Sequence, residues 1–149
     1  MRGRWFLGLL AVVGLVMAGC AGQKPAPMMG KEKSLYERLG GKPAITAAVD
    51  EFVARVAADS RINRLFGGTE IPRFKMLLVD QICEASGGPC KYTGRDMKAA
   101  HRGMGITNAQ FNALVEDLVG ALDTLKVPAK EKNELLAVLG PMRTDIVEN

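Results

Sequence analysis

Apolar residues recur along the chain at helical spacing, and pairs of glycine or proline interrupt them abruptly. Ser34-Leu35-Tyr36-Glu37 reads as a capping box, in which Ser and Glu satisfy each other's free backbone N–H groups at a helix start. That helix must be short, because Gly40-Gly41 follows at once. Pro43 suits the first turn of the next helix, where Ile45, Val49, Phe52, Val53 and Val56 carry the spacing of a buried helix face. Asp59-Ser60 caps a short turn bearing Ile62, Leu65 and Phe66, and Gly67-Gly68 closes it.

Pro72 opens a further helix, with Phe74, Leu77, Leu78, Gln81, Ile82 and Ala85 on or near its inner side. Ser86-Gly87-Gly88-Pro89 stops it. A loop from Cys90 to Gly94 leads to a short helix from Asp96 to Arg102, broken by Gly103 and Gly105. Thr107 and Gln110 form a second capping box, flanked by Ile106 and Phe111 as a hydrophobic staple. Phe111, Leu114, Val115, Leu118, Val119, Leu122 and Leu125 then make a broad apolar stripe. The last helix begins at Pro128, turns Leu135, Val138, Leu139, Met142 and Ile146 inward, and is expected to kink at Pro141, which lacks an N–H. No segment alternates with period two, so the fold class is all-α. Short helices separated by glycine pairs are unlike an up-down bundle, which prefers long helices and short loops.

The first twenty residues differ from the rest. Arg2 and Arg4 form a basic head, Trp5 to Met17 is an uncharged apolar run, and Met17-Ala18-Gly19-Cys20 ends it. This order of charge, apolar centre and small residues predicts a secretory signal over residues 1–19. Ala18-Gly19-Cys20 resembles a bacterial lipobox, departing from it at Met17, where Leu is usual. The resemblance implies that Cys20 receives lipid and becomes a membrane anchor. The plainer reading is an ordinary signal cut near Ala21, with Cys20 a bystander. Residues 20–33, with Pro25 and Pro27, read as a flexible tether, and the globular domain spans 34–149.

The 149 residues suit one domain, and 48% hydrophobic content supports a packed core. The formal net charge is +4, and without Arg2 and Arg4 it falls to +2. No basic cluster marks a nucleic-acid partner. His101 is the single histidine. One His and two available Cys do not supply the three or four ligands of a zinc site. A neutral imidazole is also a strong axial ligand for haem iron. The bland alternative is a surface or satisfied core histidine.

Several blocks, in this order and spacing, resemble the group I truncated haemoglobins, a protozoan and cyanobacterial globin family. They are Ser34 to Gly41, Ala44-Ile45, Phe52 with Arg55-Val56, Phe66 to Thr69, Gly87-Gly88-Pro89, Tyr92-Thr93-Gly94, Met97-Lys98, and His101 with Gly103, Gly105, Ile106 and Thr107. The resemblance runs from Ser34 to about Val147. It implies a two-over-two helical sandwich around non-covalent haem b, with His101 as the proximal iron ligand. Phe66 falls on the phenylalanine stacked against the haem. Phe74 and Leu78 fall on the distal helix, while Met97, Ile106, Phe111 and Leu114 fall on the proximal side. Tyr92 joins the cofactor-binding set, and Arg73, Lys75 and Lys98 are candidates to pair with the propionates. Taken alone, Phe66, Phe74 and the Leu114 stripe read as ordinary core.

Two departures bear on chemistry. Val53 stands where many members carry tyrosine, and Leu78 where many carry glutamine. The expected distal pocket, formed by Val53, Phe74, Leu78 and Gln81, is therefore apolar unless Gln81 reaches in. That counts against tight oxygen retention and nitric-oxide dioxygenation. There is no Cys-x-x-Cys-His motif for thioether attachment. Open or water-bound iron ranks ahead of a sixth ligand from Met76 or Lys75. An exported location favours a disulfide between Cys83 and Cys90, the alternative being two free thiols. The preferred function is reversible binding of a diatomic gas at the exported side of a bacterial envelope membrane. The rival is a haem-free helical lipoprotein acting as an envelope interaction module.

Overall fold

The computed structural model describes residues 32–148. The leader, Cys20 and nearly all of the tether lie outside the described residues. Seven α-helices and two single 3-10 turns make up the rest: α1 Leu35–Leu39, α2 Gly41–Ala58, a turn Asn63–Phe66, α3 Ile71–Ala85, α4 Met97–His101, α5 Asn108–Thr124, α6 Ala129–Leu139, a turn Gly140–Met142, and α7 Arg143–Ile146. There is no strand among them. No helix is long and apolar enough to cross a membrane among the described residues.

Helix starts follow local chemistry. Both capping boxes form, Ser34 with Glu37 and Thr107 with Gln110. Asp96 caps α4 by accepting from the Ala99 N–H at 2.8 Å. The C-terminal region departs from the expected single kinked helix. Pro141 cannot donate to the preceding turn and crowds it, so α6 stops at Leu139, one 3-10 turn intervenes, and α7 is a separate turn. Val138, expected inward, is 36% exposed, because Leu135 and Leu139 take the buried line of α6.

Helix α2 packs against both α3 and α5. Ile45, Val49, Phe52 and Val56 from α2 meet Val79 and Ile82 from α3 and Ala121 and Leu122 from α5 in the main core. A smaller core joins Ile106, Phe111 and Ile146, with Met97 and Met142 against it. Arg38 ties α1 to α6, its Nε donating to Glu131 at 3.1 Å and its guanidinium also meeting Glu134. That pairing accounts for Glu131, a carboxylate only 9% exposed.

A disulfide joins Cys83, fully buried in α3, to Cys90 in the following loop, with Cα atoms 5.7 Å apart. Gly88 lies inside the bridged segment. A Cβ there would meet the Tyr36 ring at 2.5 Å, Cys83 Sγ at 2.7 Å and the Cys83 carbonyl at 2.8 Å. The carbonyl belongs to α3 and cannot swing aside. Gly88→Ala is expected to destabilise the fold by about 1–3 kcal/mol, the usual cost of overpacking. A urea midpoint unchanged from wild type would refute this.

Asp117 of α5 leaves its inaccessible Oδ2 atom without a hydrogen-bond partner among the described residues. Burial, and then Asp59, push its carboxyl above the ordinary range. A raised carboxyl favours folding most when protonated, below its unfolded pKa, and loses that contribution as pH rises through the folded value. Asp117→Asn is therefore expected to raise stability at pH 7 by on the order of 1 kcal/mol. The gain should shrink toward acid, which denaturant melts at pH 4 and pH 7 would read.

Candidate haem site

A large cavity of about 790 Å³ opens among α2, α3, the loop before α4, α4 itself and α5. Its volume is in the range of small-molecule and cofactor pockets. Its lining is mostly apolar. Val49 and Phe52 of α2 form one wall, and Phe74, Leu77, Leu78 and Ile82 of α3 another. Met97, Ile106, Phe111 and Leu114 stand on the side that carries α4 and α5. The Phe66 and Phe74 rings meet at 5.5 Å with a 55° tilt, closing the corner near the 3-10 turn.

His101 is half-buried at the end of α4 and lines this cavity. Its Nδ1 lies 2.7 Å from the Met97 carbonyl, one turn back on the same helix. A carbonyl only accepts, so Nδ1 carries the proton and Nε2 keeps its lone pair. That tautomer is the one an imidazole uses to bind a metal through Nε2. No group of three or more His, Cys, Asp or Glu side chains converges elsewhere among the described residues.

The polar groups on the wall are few. Arg73, Arg95 and Arg143, the last over the Phe111 ring, supply positive charge on it, and Glu70 supplies negative charge. Tyr92 lines it too, its hydroxyl donating to the Arg95 carbonyl at 2.7 Å. Burial pushes the Tyr92 phenol above its usual range, against the opposing charge of Arg95. Gln81 also lines the cavity. Its Nε2 is directed at two sulfurs, Met97 Sδ at 3.3 Å and Met142 Sδ at 3.5 Å. Thioethers are weak acceptors, yet they hold the only amide that α3 presents here.

Three expected site residues fall elsewhere. Val53 is one helical step from Phe52, about 100° around α2. It lines a smaller neighbouring cavity of about 390 Å³ that shares Phe66 and Phe74 with the large one. Lys75, one step from Phe74, turns instead to Asp50 of α2, with its Nζ 2.9 Å from the carboxylate. Lys98 follows Met97 on the exposed side of α4 and is absent from the wall. In the other direction, Arg95, Met104 and Arg143 stand on the wall without having been expected there, and Met142, inward on the expected last helix, reaches it too. Arg95 and Met104 lie in irregular loops, where no periodicity points inward.

A pocket of this size with apolar walls, three lining arginines and one imidazole in the metal-binding tautomer fits a haem. Residues 34–148 match the bacterial-like globin family. The chain belongs to that family. Its relatives include the group 1 truncated hemoglobin of Mycolicibacterium paratuberculosis, 37% identical over 113 residues, which cover 76% of this chain and 83% of the relative. The group 1 truncated hemoglobin of Tetrahymena pyriformis is 35% identical over 119 residues, covering 80% and 98%. The crystal structure of the latter in the Fe(III) form superposes with a TM-score of 0.75 over 78% of this chain and all of the other. The 2/2 hemoglobin of Synechococcus, solved with covalently attached heme, gives 0.74 at 36% identity, over 78% of this chain and all of that one. The fold is thus the all-α truncated globin, and the cofactor of this globin is haem. Haem-based gas binding comes with the family in general terms.

Proposed function

We propose that this globin holds haem b non-covalently through His101 and binds a diatomic gas reversibly, on the exported side of a bacterial envelope membrane. The observation that carries the reading is the 2.7 Å contact of His101 Nδ1 with the Met97 carbonyl inside an apolar cavity. When bound, haem supplies the iron at which oxygen, nitric oxide or carbon monoxide coordinates. The chain's residues do the rest. The Met97 carbonyl orients the imidazole and raises its basicity as a ligand. Phe66 and Phe74 exclude water from one corner. Arg73 and Arg95 are placed to pair with carboxylates of the macrocycle at the cavity edge. Phe74 and Leu78 give the gas side an apolar surface with no hydrogen-bond donor. Without thioether-forming Cys-x-x-Cys-His in the chain, coordination and apolar burial retain the group.

Addition of haemin to the purified full chain is expected to give an equimolar complex with a sharp Soret band that shifts on reduction and carbon monoxide binding. A chain that gives no such band is the haem-free interaction module instead. The location rests on the basic head, apolar run and Ala18-Gly19-Cys20 of the leader. Cys20→Ser is expected to abolish fatty-acid labelling and release the domain from membranes. Equal labelling of variant and wild type would reject the anchor.

A further inference from the structure

His101 ends α4, and no helix resumes until Asn108. The intervening loop contains Gly103 at φ 76° and Gly105 at φ 63°, backbone conformations that glycine adopts without steric cost. The N–H groups of these two glycines converge on one side chain. Gly103 donates to Glu148 Oε1 at 2.8 Å, and Gly105 donates to Glu148 Oε2 at 2.6 Å. The N–H of Glu148 itself donates to the Ile106 carbonyl at 3.0 Å. The far end of the described chain therefore grips this loop at three positions, 103, 105 and 106.

The grip leads back to the imidazole by contacts on both sides. Ile106 is buried with Phe111 and Ile146, and Met97 packs on that cluster. Met97 in turn provides the carbonyl that fixes His101 Nδ1. Helix α7, which delivers Glu148, packs on α4 itself. The α4 helix is only five residues long, too short to hold its own geometry in water. Something outside it must set where His101 stands.

We infer that Glu148 is a positioning residue for the iron ligand: its carboxylate clamps the loop behind His101 and holds α4 against the cavity. The chemistry suits a carboxylate. It offers two acceptor oxygens to two N–H donors, and charge-assisted bonds are stronger than neutral ones. A glutamine would meet one of the two donors with its own NH2. The inference rests on His101 being the ligand, and it extends that reading to a residue distant in sequence from it.

The test uses the full chain, as purified and after haemin addition, with Glu148→Ala and Glu148→Gln. In Glu148→Ala, amide exchange at Gly103 and Gly105 is expected to become about tenfold faster, the factor that a lost charged hydrogen bond confers. Exchange in the α2 and α5 core should stay unchanged. In the haem-loaded variant the iron–histidine stretching band should shift or broaden, and haem transfer to an apomyoglobin acceptor should speed up by roughly three- to tenfold, the same loss of local order seen from the ligand. Glu148→Gln should fall between wild type and Glu148→Ala on each reading. Unchanged exchange at Gly103 and Gly105 overturns the clamp. Faster exchange with an unchanged iron–histidine band and unchanged haem loss overturns its role in positioning. A wild-type chain that takes up no haem overturns the functional reading instead, a result the band and transfer measurements separate from the exchange result.

Discussion

His101→Ala is expected to abolish stoichiometric haem uptake, with loss of the Soret band at equimolar haemin. The sequence contains no second histidine to take over. Of the three methionines on the cavity wall, Met97 and Met142 have their sulfurs turned to the Gln81 amide. The apolar walls alone would still attract a porphyrin, so weak, poorly defined absorbance can persist in the variant. It should not saturate at one equivalent. His101→Gly leaves space where the imidazole stood, and added imidazole should restore the band there. A His101→Ala protein with the wild-type spectrum and affinity would show that the ligand has been assigned to the wrong residue. This result would also leave the Met97 carbonyl without its proposed task.

The second large effect concerns the gas side. Wild-type ferrous protein is expected to release oxygen quickly, and Leu78→Gln is expected to slow that release by about ten- to a hundredfold. Oxygen becomes polarised on coordination and gathers negative charge on its outer atom, whereas carbon monoxide does so much less. A donor from the wall therefore favours oxygen selectively. One hydrogen bond to such a charged acceptor contributes roughly 1.5–3 kcal/mol, which is about ten- to a hundredfold in a rate if the bond forms only with ligand in place. Leu78 lines the cavity and has no donor. The Gln81 amide is held between two sulfurs. Stopped-flow displacement of oxygen by carbon monoxide measures the rate. Slow wild-type release that Gln81→Leu accelerates would show that Gln81 leaves its sulfurs and serves the gas.

The structure changes where that donor should be placed. From sequence, Val53 and Leu78 are equivalent candidates, because each replaces a polar residue common in the related globins. In the fold only Leu78 reaches the large cavity, while Val53 faces the smaller one behind Phe66 and Phe74. A tyrosine at Val53 would first have to find room at a side chain only 8% exposed. Overpacking there carries its own cost, so Leu78→Gln is the cleaner substitution.

What the sequence determined by itself is what short-range chemistry controls. The capping boxes at Ser34 and Thr107 close over three residues, so both are legible from residue types alone. Helical periodicity likewise identified the buried line of α2, because one amphipathic face must be buried wherever the helix finally docks, whereas on α3 it passed over the buried Val79 and Cys83 and on α5 it ran on to Leu125, which is exposed. The single histidine could be read as a ligand because ordered blocks around it resembled a globin. Tertiary structure decided the rest, since it depends on partners far apart in the chain. Lys75 turns to Asp50 across 25 positions, and Gln81 to Met142 across 61. Pro141 was legible as a disturbance, but whether it would kink or divide the last helix depended on the packing around it. The Glu148 clamp spans more than forty residues to two glycine N–H groups. Those groups have no side chain to announce them, and their N–H directions are set by backbone angles that exist only once the loop is folded.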